Sequence, residues 1–545
     1  METPTASTTY ASLSLTEDDH LAYENALRYV WSSLGAHIGV ELPGCPTRYH
    51  HSPQRDHNPA RTNQLIAQFT SATVEDVDEA VRITREMARS RTLEKMGWEG
   101  RLELVASMGQ LIQDKRFDIA AILTYETGKT RAEALAEVNE VNAMIAAYTT
   151  FARECNNYSY LLNDGSQPPY EHSLSLARPL GGPVAVIVPF NFPFALAANM
   201  SLAAFLAGNP LIIKPASDTP LTTWCWYDVM RKAGVPPEAC IFLAGPGSSV
   251  GEALIRHPGI SCIAFTGSLE TGKRITAAHN ELFQQNIFRA NPVMEMGGKN
   301  PVIVTRHANL EAAAEGIIRA TVGFGGQKCS ATSRIYAEKG IIKELQDRIL
   351  KMARVGFPNG QKIMVGFPEI RETYVGPVIN RAAFGRYHSV VTQMRYGGAD
   401  VFPLHDHVVL KILPLIKPHG YFVQPLLAVG LPHEHPLNRE EHFIPVATLM
   451  PIDSLEEGIA KANDTVYALC AGFFSEDEDE QRKFLAEIEA GVVYTNRRDG
   501  ATTGSWPTMQ NFGGWKGSGT SGKNSFGKWY ALNFTREQDQ TRVLG

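Results

Sequence analysis

From residue 183 onward the chain alternates short β-rich runs with helical ones, and that rhythm constrains the fold more than any other feature. PVAVIVPF, PLIIKPA, CIFLAG and SCIAFTG are separated by ANMSLAAFLAG, TTWCWYDVMRKAG and SVGEALIRH, with LETGKRITAAH after the last. Strands that each return through a helix run parallel, so the pattern predicts a doubly wound α/β sheet. A second alternation starts at PVIVT, passes through NLEAAAEGIIRATVGF and RIYAEKG, and ends near AGVVYTN at 490–496, which predicts a second α/β domain. Ahead of both come EDDHLAYENALRYVWSSLGAH, read as helix, a Pro/His-rich connector reaching 56, and a helical region from about 74 to 155 with apolar residues three and four apart. The tail KWYALNFTREQDQTRV alternates weakly, as an edge strand able to pair with another subunit does.

At 545 residues the chain exceeds one compact core and leaves room for a cleft between domains, a common place for ligands. Hydrophobic residues at 44% and charged residues at 20% suit a packed soluble protein rather than a disordered one. A net charge of -6, with no dense Lys/Arg block, excludes a nucleic-acid footprint. Seven cysteines without CxxC spacing indicate neither a disulfide framework nor a zinc site, and their odd number fits a reducing compartment. The N-terminus METPTASTTYASLSLTEDDH has no Lys, no Arg and no apolar centre, so it reads as neither a secretory nor a transit signal. Apolar stretches fall short of the roughly 18 residues that span a bilayer, and a cytoplasmic protein is expected. The His pairs at 50–51, 405–407 and 433–435 lie in connectors without H-x-x-x-H spacing, so no metal site is expected.

Chemistry-bearing residues gather at the strand ends. SCIAFTG runs into GSLETGKRI, which puts Gly267, Ser268 and Gly272 at the turn into a helix whose free N–H groups can hold a pyrophosphate. GPGSSVGEAL places Gly245, Gly247 and Gly251 at a similar turn, although glycines that merely make a turn give the same pattern. Lys214 in IIKPAS can reach a ribose hydroxyl or a phosphate while Pro215 stiffens the turn, or can be a plain surface lysine.

Cys329, in GFGGQKCSATSR, has glycines that permit close backbone approach and Lys328 beside it, whose charge favours thiolate; the alternative is a buried inert cysteine. Glu295, in VMEMGGKNPVIV, follows an apolar segment that would desolvate its carboxyl and raise its pKa toward neutrality, as a general base requires; the alternative is a solvated loop carboxylate. Asn191, in VIVPFNFPFAL, is held between aromatics and prolines, where its amide and the Cys329 N–H can stabilise an oxyanion, or where it simply turns the chain.

In chain order, ETGKTRAEALAEV, PFNFP, KPAS, FTGSLETG, EMGGKN, GQKCSA, NREEHFIPV, ANDTVYAL and FGGWKGSG resemble the aldehyde dehydrogenase superfamily over nearly the whole chain. The 34-residue interval from Glu295 to Cys329 also looks like that family's glutamate-to-cysteine spacing. The resemblance implies an aldehyde dehydrogenase-like fold with two doubly wound α/β domains, Rossmann-like cofactor domain and catalytic domain, plus a small β oligomerisation element. The cofactor domain would span 17–158 and 176–293, the catalytic domain 294–497, and the oligomerisation element 159–175 and 515–545. A homodimer or higher homo-oligomer is implied, with a small-molecule aldehyde as substrate and neither nucleic acid nor membrane as partner.

The resemblance makes Cys329 the nucleophile, Asn191 the oxyanion donor and Glu295 the base that activates water against a thioester. It implies NAD or NADP, with Lys214 and Glu441 at the two riboses and Ser268 at the pyrophosphate. Ile187, Pro189, Ser217, Gly247, Gly251, Phe265, Thr266, Gly267, Gly272 and Phe443 would complete the cofactor site.

Within the superfamily, GGKNPVIV followed by GFGGQKCSATSR looks closest to the 1-pyrroline-5-carboxylate (glutamate-γ-semialdehyde) dehydrogenase group. There the substrate's α-carboxylate is held at positions that correspond to Ser330, Gly500 and Ala501, with Phe192 at the pocket wall. Another small semialdehyde, or an aromatic or aliphatic aldehyde, is the alternative substrate. Three departures bear on the site. The stretch GSWPTMQNF from Gly504 to Phe512 is longer than in that group, and Ile444 stands for the usual Gly, which is expected to shift Glu441 and Phe443. Ser217 stands where many NAD-preferring members carry Glu, and losing that carboxylate removes repulsion toward a 2′-phosphate, which admits NADP. A CoA-acylating reductase, which needs no water-activating carboxylate, is the reading Glu295 argues against. A silent binding relative is what Cys329, Glu295 and Asn191 together argue against.

Overall fold

The computed structural model describes residues 15–49, 53–166, 171–498 and 510–543. Helix comes first: Glu17–Ser33 opens on a capping box between Thr16 and Asp19. Gly97–Thr127 and Arg131–Glu154 follow on either side of Gly128, whose φ of +78° suits glycine and where a Cβ would strike Pro377. Thr130 and Glu133 then cap the second of these helices, so the ETGKT sequence is a stop and a start in five residues. The segment read as helix and connector over 17–56 differs from expectation. A small sheet forms from Ala36–Ile38, Leu65–Phe69 and Gln54–His57, whose strands are too short to show an alternating pattern.

The first of two large sheets runs in the order Val293–Glu295, Cys262–Thr266, Val184–Ile187, Leu211–Lys214, Cys240–Phe242, with every neighbouring pair parallel. The chain lays three strands in one direction, then returns to the other side of the first. The crevice outside the C-terminal ends of Val184–Ile187 and Cys262–Thr266 is therefore the switch point at which such sheets bind ligands. Ala195–Leu206 is buried on nearly all sides, and its alanines and Ser201 let it lie close against the sheet.

The second sheet runs Asp400–Pro403, Leu426–Val429, Val446–Ile452, Thr332–Glu338, Asn300–Val304, Cys470–Phe474, Val492–Thr495. Only the first of these, at the edge, is antiparallel to its neighbour. Val293–Glu295 ends the first sheet and Asn300–Val304 opens the second, with only Met296–Lys299 between them. The C-terminal edge of one sheet thus faces the N-terminal edge of the other across a four-residue link.

A third, antiparallel sheet joins Ser159–Asp164, Glu171–Pro179 and Thr535–Val543. The tail pairs along its length with Glu171–Pro179 of its own chain over nine positions and lies at the edge of this sheet, with Glu171–Pro179 in the middle. Among the described residues no helix is long and apolar enough to cross a membrane.

Candidate active site

Glu295 is the last residue of the outermost strand of the first sheet. Its carbonyl accepts from the Gly267 N–H at 3.1 Å, and its carboxyl from the Gly514 N–H at 3.3 Å. The FGGWKGSG segment braces this strand: Met296 N–H donates to the Ser518 carbonyl at 2.8 Å and Thr520 N–H to the Met294 carbonyl at 3.1 Å. Burial pushes the Glu295 carboxyl well above the ordinary carboxylate range, with the Gly514 bond opposing. The two glycines that follow are there for space. A Cβ on Gly297 would collide with the Glu441 carboxylate, and one on Gly298 with the Cys329 carbonyl.

Cys329 lies between Leu310–Val322 and Thr332–Glu338, at the N-terminal edge of the second sheet. Phe324, Gly325 and Gly326 before it take left-handed φ values of 48°, 59° and 67°, which coil the chain tightly enough to present the thiol. Gln327 fixes this coil by accepting from Ile379 N–H at 2.9 Å, and Glu133 by accepting from Phe324 N–H at 2.6 Å. Asn300 supplies the remaining clamp. Its amide donates to the carbonyls of Cys329 at 2.7 Å and Ala331 at 2.9 Å, and its oxygen accepts from Cys470 N–H at 2.9 Å.

Cys329 and Glu295 line one cavity of about 50 Å³ together with Ser330, Glu140, Thr266 and a wall of Phe192, Phe512 and Phe526. Asn191 is buried one residue before Phe192 and is not among the lining residues; its neighbour Phe190 meets Phe443 edge-on at 5.7 Å. Behind the wall, the Lys129 ammonium sits 3.7 Å from the centre of Phe192 and 4.6 Å from that of Phe324, paired with Glu137. Glu137 in turn accepts from the N–H groups of Phe194 and Ala195 at 3.0 and 3.1 Å, at the start of the buried helix.

The thiol differs from expectation. Burial pushes Cys329 up to about 12, with the carboxyls of Glu441 and Glu295 adding to the rise. Lys328 does not offset this, because its own ammonium is buried and held below the usual lysine range. Adjacency in sequence supplied the charge, but desolvation outweighs it.

At the switch point, Lys214 ends its strand with its ammonium donating to the Pro215 carbonyl at 2.8 Å, and burial lowers it to about 8. Gly251 leaves room for the Lys214 stem, 3.4 Å from where a Cβ would stand. Ser268 caps Leu269–Gln284 by accepting from Thr271 N–H at 3.2 Å, with Gly267 packed on the Phe265 ring and Gly272 on Met296. Ile187, Pro189 and Ser217 follow the same strand ends, and Ser217 carbonyl accepts from the Gln54 amide at the crevice rim. Gly247–Gly251 forms a single wide helical turn. Among the described residues no carboxylate pairs with the buried Lys214 ammonium, and with the Ser268 helix start at the same sheet edge the crevice fits a dinucleotide's hydroxyl and phosphate groups. Glu441 accepts from Gly298 N–H at 2.8 Å and is raised by burial to about 7. Ile444 is buried in the core near Val378 and Tyr387, and it is Phe443, at φ 57°, that takes the strained position.

Gly500 and Ala501, and most of the stretch from Gly504, lie outside the described residues. Four residues escaped the sequence reading: Asn300, Lys129, Glu137 and Glu140. Their signal was present in EMGGKN and in Glu133, Glu137 and Glu140, spaced four and three apart on one helical face.

Comparison with known proteins decides the family. The chain matches the sequence profile of the aldehyde dehydrogenase family over residues 48–539. It belongs to that family. As an aldehyde dehydrogenase it is an NAD(P)-dependent oxidoreductase that acts on aldehydes. It is 30% identical over 488 residues, 88% of each chain, to a 1-pyrroline-5-carboxylate dehydrogenase of Staphylococcus epidermidis. Among solved structures it superposes on a Thermus 1-pyrroline-5-carboxylate dehydrogenase with bound NAD at a TM-score of 0.87, with 28% identity and 98% of each chain covered. It also matches proline utilization A of Bdellovibrio bacteriovorus at a TM-score of 0.87 and 27% identity, over 97% of this chain and about half, 52%, of that one.

Proposed function

We propose that this aldehyde dehydrogenase oxidises L-glutamate γ-semialdehyde, the open form of 1-pyrroline-5-carboxylate, to glutamate. The observation that carries the reading is the cavity that Cys329 and Glu295 share, flanked by a hydroxyl at Ser330 and a carboxylate at Glu140. Ser330 suits the α-carboxylate of such a substrate and Glu140 its α-ammonium. Gly500 and Ala501 are proposed as further carboxylate donors.

Cys329 Sγ adds to the carbonyl carbon as its proton passes to the Glu295 carboxylate in the same cavity, and Glu295 releases that proton before it serves the hydrolytic step. The Asn191 amide and the Cys329 N–H receive the oxyanion. Lys214, Ser268 and Glu441 would hold the dinucleotide in the crevice, with Gly247–Gly251 alongside. When bound, NAD or NADP supplies the hydride acceptor. The carboxylate form of Glu295, made more basic by burial, takes the proton from the water that cleaves the resulting thioester. Residues 17–158 and 176–293 are assigned to cofactor binding and 294–497 to catalysis. A cytoplasmic homo-oligomer assembled through 159–175 and 515–545 completes the reading, supported by seven free thiols and by exposed Tyr160, Leu161 and Leu162 on an edge strand.

Incubation with 1-pyrroline-5-carboxylate and other semialdehydes, with each cofactor, tests it. Reduced cofactor is expected with the former, none in Cys329→Ala, and a Cys329 acyl adduct visible by intact mass in Glu295→Gln. Turnover by Cys329→Ala removes the nucleophile assignment.

A further inference from the structure

A second cavity of about 380 Å³ lies against the first, with Phe526 in the wall of both. Asn511 and Asn524 in its lining are chain neighbours of Phe512 and Ser525, which line the catalytic cavity. The two differ in chemistry. The inner one carries the carboxyls of Glu140 and Glu295, whereas the outer one carries Gln510, Asn511, Asn524 and the ammonium-bearing Lys523 and Lys528, with no Asp or Glu among its described lining residues. Lys528 is already spoken for, since its Nζ pairs with Glu154 at 3.1 Å. Among the described residues no carboxylate stands within ion-pair distance of Lys523. Its backbone is nevertheless fixed: the Lys523 carbonyl accepts from Ser521 Oγ at 2.6 Å and Asn533 Nδ2 at 2.7 Å, and its N–H donates to Ser521 Oγ at 3.0 Å. The side chain of Lys523 therefore starts from an ordered backbone and carries an exposed ammonium at the outer cavity, beside the nucleophile's cavity, in a protein whose net charge is -6.

We propose that this outer cavity is an antechamber for aldehydes that bear a carboxylate, in which Lys523 receives the carboxylate before the carbonyl passes Phe526 to reach Cys329. The proposal rests on the reading of the inner cavity as the active site and extends it to substrate class. An ammonium at a cleft raises the local concentration of an anion and speeds its capture, and salt screens the effect over a Debye length of about 8 Å. A neutral aldehyde gains nothing from it.

The test compares succinic semialdehyde, a monoanion, and 1-pyrroline-5-carboxylate with propanal in the wild type, Lys523→Arg, Lys523→Gln and Lys523→Glu, at about 20 mM and about 300 mM salt. In Lys523→Glu the ratio of kcat/KM for succinic semialdehyde to that for propanal is expected to fall about tenfold at low salt, through KM, and by much less at high salt. Lys523→Gln should fall between, and Lys523→Arg should keep the wild-type ratio, which separates charge from folding. An unchanged ratio in Lys523→Glu overturns the antechamber. If the wild type rejects 1-pyrroline-5-carboxylate while the succinic semialdehyde ratio falls as expected, the substrate reading fails and the antechamber stands. If it accepts 1-pyrroline-5-carboxylate and the ratio does not move, the reverse holds. Turnover of propanal alone overturns both.

Discussion

Iodoacetamide offered to the cofactor-free protein meets a Cys329 thiol that burial has pushed up to about 12. An ordinary thiol near 9 is about one-tenth ionised at pH 8, whereas one at about 12 is ionised to roughly one part in ten thousand. Alkylation goes through the thiolate, so Cys329 should react about a thousandfold more slowly at pH 8 than a small free thiol in the same tube. Its rate should then climb about tenfold for each pH unit through pH 10 without a plateau. Peptide mapping of carbamidomethylated Cys329 over time at several pH values gives the profile. Glu441 is the largest charge raising the thiol, so Glu441→Gln should move the profile to lower pH. A plateau below about pH 9 in the wild type would mean that the thiolate is already the resting form, and the desolvation argument would be refuted.

Two further outcomes follow from buried polar groups. Asn300→Ala strips the partners from the Cys329 and Ala331 carbonyls and the Cys470 N–H, and should cost on the order of 3 kcal/mol in urea unfolding, with kcat falling more than KM changes; an unaltered kcat would dismiss Asn300 as a positioning residue. Asp56 and Glu126 form a buried pair in which burial raises Asp56 well above the usual range and Glu126 to about 7. A carboxyl raised above its unfolded value contributes stability at low pH that is lost as pH rises to the folded value, so the thermal midpoint should drop between about pH 4.5 and about pH 7, the span of the Glu126 shift. Asp56→Asn should flatten that drop, and parallel pH curves for the two proteins would rule out the shared proton.

The parallel strands were legible because burial on both faces writes them as apolar runs, and PVAVIVPF, PLIIKPA, CIFLAG and SCIAFTG all contain strands of the first sheet. Helix starts were legible where a cap marks them, as at Thr73, which shares a box with Asp76. Cys329 and Glu295 stood out by motif, but their common cavity is a long-range fact that no local pattern contains. Lys328 was misread because neighbours in sequence say nothing about desolvation. Glu137 and Glu140 sat in plain view on a helical face, yet only tertiary packing reveals that the face turns toward Phe192. Ile444 stands for a glycine in the motif, and its side chain is taken into the core cluster that includes Tyr387, a placement that only tertiary packing decides.

The short connection Met296–Lys299 carries a consequence for how this enzyme can move and evolve. Glu295 belongs to one sheet, while Asn300, which grips the Cys329 carbonyl, belongs to the other. Any rocking of the two sheets would pivot about a tether too short to let the Glu295 carboxyl and the Cys329 sulfur drift apart. Changes elsewhere around the pocket can reshape what enters without resetting the spacing between the Glu295 carboxyl and the Cys329 sulfur.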